Sequence, residues 1–163
     1  MLNPYDFGHV NYAVGEIPGI MDVGSSEHCT MREWRVKIAL LEDNPSILDY
    51  LSRALEMMGH TVHKYPDSAS LLERLFDGES VHTPLPYDLL LVDLLLPGDI
   101  SGLEAIHTIR RALPKELLPI VIISACSQKE LEEVHRELPL VPIVRKPFRI
   151  QELLQTIDEV MVC

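Results

Sequence analysis

Five ionisable or hydroxylic residues follow four short apolar runs of the sequence: Glu42, Asp43, Asp93, Ser124 and Lys146. Three carboxylates crowded into one cleft would oppose each other's ionisation, and a hard divalent cation such as Mg²⁺ relieves that repulsion by binding carboxylate oxygens. A lysine ammonium and a serine hydroxyl can both bind phosphoryl oxygens. If the fold brings these residues together, they predict a Mg²⁺-dependent phosphoryl site centred on Asp93.

The elements that would position these residues come from a regular alternation of apolar runs and amphipathic segments that begins at Arg35. The apolar runs predict strands at 36–41, 61–65, 88–93, 119–123 and 140–144. Apolar residues at helical spacing predict a helix after each strand, the first at 45–58 and the last at about 150–161. Helix starts are indicated by Asn44 and by Ser-x-x-Glu capping boxes at Ser70, Ser101 and Ser127.

This alternation indicates the fold class. Strands that alternate with helices are typical of a parallel sheet with right-handed crossovers and helices on both faces. We therefore predict an α/β, flavodoxin-like doubly wound sheet of five parallel strands in the order 2-1-3-4-5. In that order strands one and three are neighbours, and ligands bind in the crevice beyond their carboxyl ends. The candidate residues all lie at that edge.

Composition limits the classes of function. The chain has 163 residues, 47% hydrophobic and 24% charged, which fits one globular domain. Its net charge of −11 is the wrong sign for direct binding to nucleic-acid phosphates. Three distant cysteines without a C-x-x-C pair predict neither disulfides nor zinc and favour a reducing cytoplasm. We find no pattern of a signal peptide or a membrane span, and we expect a cytoplasmic protein.

Residues 1–34 differ from the rest of the sequence. They hold four of the eight glycines and show no sustained period, so we predict an N-terminal extension or linker. Their apolar side chains leave open whether part of this segment docks on the domain.

Four motifs occur in a fixed order: Leu-Leu-Glu-Asp-Asn, Leu-Val-Asp-Leu-x-Leu-Pro with Gly102 beyond it, Ile-Ile-Ser-Ala, and Lys-Pro-Phe. Steps of 50, 31 and 22 residues lead from Asp43 through Asp93 and Ser124 to Lys146. In these motifs the sequence resembles the receiver domain of two-component response regulators, of which the bacterial chemotaxis response regulator is the single-domain example. The resemblance covers about residues 35–162, and we predict a receiver domain at 35–163.

The resemblance implies a role for each acidic residue. Asp93 would accept a phosphoryl group from a phosphohistidine on a histidine kinase or phosphotransfer protein. Asp43 and Asp93 would bind Mg²⁺ directly, Glu42 would act at the metal mainly through water, and Leu95 would contribute its backbone carbonyl. The chain would be a phosphoprotein and a signalling switch, not a turnover enzyme, although it would take part in its own phosphorylation and dephosphorylation.

The resemblance also implies how the signal leaves the site. Ser124 would follow the phosphoryl group as the switch hydroxyl, and Lys146, before a cis bond to Pro147, would pair with the phosphoryl oxygens. A downstream protein, or an output domain missing from this chain, would read the result. A homodimer through the fourth helix, fifth strand and fifth helix is a further hypothesis from the resemblance.

The sequence departs from the family pattern in three places. Ile143 stands where the family usually has Tyr or Phe as the rotating partner of the switch hydroxyl. The loop 97–102 is one residue longer than usual, and 138–142 replaces a glycine-containing entry to strand five with a segment that holds two prolines. These departures bear on the output geometry and not on the phosphoryl chemistry.

The main alternative is a pseudo-receiver, an interaction module with the same fold that signals without phosphorylation. The intact acid pair, acceptor and lysine argue against it, whereas the missing aromatic residue favours it. A phosphohydrolase of the haloacid dehalogenase type would need Asp-x-Asp where this chain has 93–95 as Asp-Leu-Leu. In an FMN protein the acidic residues of 42–45 would repel the phosphate.

Overall fold

The computed structural model describes residues 35–162, in which five parallel strands form a sheet between two layers of helices. The strands are β1 (Lys37–Leu41), β2 (Thr61–Tyr65), β3 (Phe76–Asp77), β4 (Ser80–Val81), β5 (Leu89–Asp93), β6 (Ile120–Ser124) and β7 (Ile143–Arg145). The helices are α1 (Pro45–Met57), α2 (Ser68–Leu75), α3 (Gly102–Ala112), α4 (Gln128–Glu137) and α5 (Ile150–Val162). The predicted extension, residues 1–34, lies outside the described residues.

The strand order of the sheet is β2-β1-β5-β6-β7. Because β3 and β4 form a separate small hairpin, this order is 2-1-3-4-5 for the five sheet strands, which confirms the predicted fold class. β1 lies between β2 and β5, with Ile38 opposite Val62 on one side and Leu89 on the other. The carboxyl ends of β1, β5 and β6 therefore meet at one edge.

Successive residues of the central strands point into two different cores. Ile38 and Leu89 belong to the core that α1 and α5 cover, and Ala39 and Leu90 belong to the core that α2, α3 and α4 cover. A strand with both faces covered is apolar throughout, and all five residues of β5 are buried. Within residues 35–162 we find no helix with the length and apolar character needed to span a membrane.

Helix starts follow the predicted caps with one exception. The Asn44 side chain accepts hydrogen bonds from two backbone N–H groups of α1, and capping boxes begin at Ser101 and Ser127. The predicted box at Ser70 is wrong: the N-cap of α2 is Asp67, whose carboxylate accepts from the Ser70 backbone N at 2.8 Å. An ionised aspartate three residues earlier caps the helix, and Ser70 lies inside its first turn.

Two short segments also differ from the prediction. Phe76, expected in the second helix, instead begins β3, which pairs with β4 across a turn at Gly78 with φ of 61°. Strand five begins at Ile143 and not at 140, because the preceding residues form a turn closed by the Val141 N–H to the Leu138 carbonyl at 3.1 Å. Proline at 142 has no N–H to offer a sheet ladder.

Gly102, the first residue of α3, lies against the end of β5. A Cβ atom on Gly102 would lie 1.9 Å from the carbonyl oxygen of Asp93 and 2.9 Å from the Cα of Leu94. Gly102→Ala is therefore expected to push α3 away from β5 and to lower the free energy of unfolding by about 1–3 kcal/mol. Urea denaturation measures this loss.

The matched control for Gly102→Ala is Thr108→Ala, at an exposed position of the same helix. We expect its stability to change by less than about 0.5 kcal/mol. Equal midpoints for the two variants would contradict the close approach of α3 to β5.

Candidate functional site

Three buried polar side chains lie at the carboxyl edge of the sheet. Glu42 follows β1, Asp93 ends β5 and Ser124 ends β6, and their exposed fractions are 1%, 4% and 0%. Each strand is an apolar run that is buried between the helices, and a polar residue stands at its carboxyl end. This end lies at the edge of the sheet that the helices leave open. Buried carboxylates need compensating partners, so the groups around them determine the chemistry of the site.

Lys146 is the partner of both buried carboxylates. Its Nζ atom lies 2.5 Å from Glu42 Oε2 and 2.5 Å from Asp93 Oδ2. The Lys146 backbone N donates to the Ser124 carbonyl at 2.8 Å, which ties the residue to the end of β6, and the bond to Pro147 is cis, as the resemblance implies. The structure thus joins residues 42, 93 and 146 in one ion-paired group.

The charge of Lys146 is set by two opposing effects. Burial lowers the pKa of the ammonium, but hydrogen bonds from it to Asp93 and Glu42, together with their negative charges, raise the pKa above the usual lysine value. The ammonium therefore stays protonated at neutral pH. A permanent positive charge beside the Asp93 carboxylate is suited to hold an anionic group there.

Asp43 completes a cluster of three carboxylates. One oxygen each from Glu42, Asp43 and Asp93 lies within 4.8 Å of the others, and Asp43 is the exposed member. The oxygens of Glu42 and Asp93 that Lys146 does not contact are held by backbone donors, since Asn44 N donates to Glu42 Oε1 at 3.1 Å and Leu95 N donates to Asp93 Oδ1 at 2.9 Å. A preoriented set of hard oxygen ligands, open to solvent on one side, fits Mg²⁺.

The Ser124 hydroxyl has a partner for which the sequence gives no signal. Ser124 Oγ donates to the Cys126 thiol sulfur at 3.0 Å and accepts from the Cys126 backbone N at 3.2 Å. Cys126 itself is 6% exposed. The hydroxyl is therefore held by the segment that connects β6 to α4.

Ile143, the residue in the usual aromatic position, begins β7 opposite Ile122 of β6. It is partly buried and packs against the core that α2, α3 and α4 cover. An aliphatic side chain has no ring or polar group with which to bind a serine hydroxyl. The aromatic partner that the resemblance would supply for Ser124 is absent at this position.

An apolar depression adjoins the site on the side of α1. It is lined by Ile47, Tyr50, Leu51, Ala125, Lys146, Pro147 and Phe148. Tyr50 is 60% exposed, so this rim presents an aromatic surface directly beside the ion-paired lysine. Such a surface is suited to contact another protein.

Comparison with known proteins places the chain in a family. The sequence-family model of the response regulator receiver domain matches residues 38–158. The chain is 31% identical over 124 residues to the response regulator ArlR of Staphylococcus epidermidis. This alignment covers 76% of this chain and 52% of ArlR. It is 26% identical over 118 residues to RpaA of Synechocystis, a DNA-binding dual master transcriptional regulator. That alignment covers 72% of this chain and 46% of RpaA. The chain spans about half the length of these two relatives.

A solved structure agrees with these relatives. The response regulator TrrA of Thermotoga maritima, in complex with Mg²⁺ and BeF, is 26% identical and superimposes with a TM-score of 0.61 over 76% of this chain and 97% of that one. The matched region contains all the residues that form the ion-paired and acidic groups described above. The chain therefore belongs to the response regulator receiver domain family and is a two-component signalling domain of flavodoxin-like fold.

Proposed function

We propose that Asp93 accepts a phosphoryl group from a phosphohistidine on a histidine kinase or phosphotransfer protein, and that the chain acts as a Mg²⁺-dependent switch. The observation that carries this proposal is the buried Asp93 carboxylate, 2.5 Å from the Lys146 ammonium and within reach of two further carboxylates. A purely structural ion pair would need neither Asp43 nor an opening to solvent.

The proposed transfer follows from the atoms at the site. An Asp93 carboxylate oxygen would attack phosphorus, forming a P–O bond as the P–N bond to the donor imidazole breaks and its electron pair stays on the imidazole. Lys146 would neutralise charge on the phosphoryl oxygens, and Ser124 would donate a hydrogen bond to one of them. The product is one phosphoryl group held on the chain, so the chain is a switch and not a catalyst with turnover.

Four residues would hold the metal: Glu42, Asp43, Asp93 and Leu95, the last through its backbone carbonyl. When bound, Mg²⁺ would supply positive charge that offsets the carboxylates and the phosphoryl oxygens. Glu42 would act mainly through water, which agrees with its engagement by Lys146 and the Asn44 backbone. Asp43, the exposed member, would be the ligand most accessible to an entering ion.

The surroundings of the site support a protein as phosphoryl donor. The apolar rim beside Lys146, with the exposed ring of Tyr50, offers a contact surface that a small-molecule donor would not need. Relatives in which the region matched by this chain makes up only about half of the protein support a signal read by an output domain or by a downstream protein. A homodimer through α4, β7 and α5 is a separate hypothesis, and light scattering that shows a monomer with and without a phosphoryl mimic would remove it.

Beryllofluoride, which mimics a phosphoryl group on a carboxylate, separates this proposal from the pseudo-receiver alternative that Ile143 favours. We expect isothermal titration to show one bound equivalent in the presence of Mg²⁺ and none without Mg²⁺. Asp93→Asn should abolish that binding while the protein stays folded. If the folded wild-type chain binds Mg²⁺ but no beryllofluoride, that result would contradict the proposal and favour the pseudo-receiver alternative.

A further inference from the structure

Cys126 is the partner of the Ser124 hydroxyl in the structure. Within the described chain, Ser124 Oγ makes two hydrogen bonds, one to the Cys126 sulfur at 3.0 Å and one from the Cys126 backbone N at 3.2 Å. Both residues are buried, with exposed fractions of 0% and 6%. Cys126 immediately precedes Ser127, the N-cap of α4. The hydroxyl is thus tied to the start of a helix.

A serine hydroxyl has one proton to donate. If Ser124 donates to a phosphoryl oxygen on Asp93, its hydrogen bond to the Cys126 sulfur must break. Sulfur is a weak acceptor, whereas a charged phosphoryl oxygen is a strong one, so the exchange is favourable. The resting hydrogen bond nevertheless sets a cost that the phosphoryl group has to overcome.

We propose that Cys126 is a positioning residue that holds the Ser124 hydroxyl in the resting state and releases it when Asp93 carries a phosphoryl group. The inference rests on the proposed function of Asp93. It also gives the chain a link from the site to α4 that needs no aromatic ring at position 143, because Cys126 immediately precedes the N-cap of that helix.

The first test is the affinity for beryllofluoride in the presence of Mg²⁺, measured on the full chain by isothermal titration. Cys126→Ala removes the sulfur acceptor and is expected to lower the dissociation constant by roughly 2- to 12-fold, the size of one neutral hydrogen bond. Cys126→Ser restores an acceptor and should return the constant toward that of the wild type. A purely packing role would give no such rescue, and an unchanged or weaker affinity in Cys126→Ala would overturn the proposal.

The second test reads the thiol directly. The infrared S–H stretching band of Cys126 can be recorded in a full chain that carries Cys29→Ser and Cys163→Ser, so that one thiol remains. We expect the band to shift when Ser124→Ala removes the donor. In the single-thiol chain that keeps Ser124, the band should move to that same position when beryllofluoride binds. Coincident bands for the two unliganded proteins would overturn the resting hydrogen bond.

The two tests distinguish failure of this inference from failure of the proposed function. If no variant binds beryllofluoride, the proposed function of Asp93 fails and the release step fails with it, whereas the bands of the unliganded proteins still decide the resting hydrogen bond. If all variants bind with one affinity and the band does not move on binding, Asp93 keeps its proposed function and Cys126 has no positioning role.

Discussion

Replacing Lys146 by methionine is expected to lower the free energy of unfolding by about 3–5 kcal/mol in Mg²⁺-free buffer, the cost of removing one partner from a buried ion pair. The ammonium is 2.5 Å from both Glu42 and Asp93, whose side chains are 1% and 6% exposed. Without it, two buried carboxylates face each other with no positive charge between them. Urea denaturation with and without Mg²⁺ measures the effect.

The chain offers a matched control in Lys64→Met. Lys64 pairs with one carboxylate, that of Asp49 at 2.7 Å, and the two side chains are 45% and 58% exposed. An exposed pair contributes about 0–1 kcal/mol, so this variant should remain close to wild type. We also expect Mg²⁺ to restore much of the stability of Lys146→Met, because the ion supplies the missing positive charge. If both lysine variants lost equal stability, the site would not depend on a buried ion pair.

Asp43→Asn is expected to weaken Mg²⁺ binding by at least about 100-fold. Loss of a residue that merely orients a metal ligand commonly costs 10- to 100-fold in affinity, and Asp43 is proposed as a direct ligand. The side chain is exposed and its charge is repelled by the two neighbouring carboxylates, so its replacement should not lower the metal-free stability. Isothermal titration with Mg²⁺ gives the affinity, and urea denaturation confirms that the variant is folded.

Asp99→Asn is the control that separates ligation from general charge. Asp99 is an exposed aspartate on the loop between β5 and α3, outside the carboxylate cluster, and its replacement removes the same unit of negative charge. We expect its Mg²⁺ affinity to stay within about threefold of wild type, since screened surface charges act weakly. Equal losses in the two variants would show that Asp43 attracts the ion without binding it.

The sequence was sufficient to predict the sheet and the meeting of residues at its edge. A strand covered on both faces is a nearly continuous apolar run, so β5 and β6 could be located, and parallel order then places Asp93 and Ser124 at the same ends of neighbouring strands. Asp43, Glu42 and Lys146 follow from the same rule. Their types, hard oxygen ligands and one ammonium, lead to the chemistry that we propose for the site.

Other features depend on competition that a sequence pattern does not resolve. Asp67 and Ser70 are both good helix caps, and the structure uses the earlier one. The two-residue strands β3 and β4 are too short to show a period. The contact of Ser124 with Cys126 depends on a buried rotamer, which is set by the packing around it and not by spacing.

The most direct measurement of the central claim is the intact mass of the full chain after incubation with acetyl phosphate, with and without Mg²⁺, for wild type and Asp93→Asn. We predict one added phosphoryl group on the wild type only when Mg²⁺ is present, with acetate as the leaving group. Asp93→Asn should gain none. An adduct of equal yield on Asp93→Asn, or no adduct on a wild-type chain that binds Mg²⁺, would contradict the assignment of Asp93 as the phosphoryl acceptor.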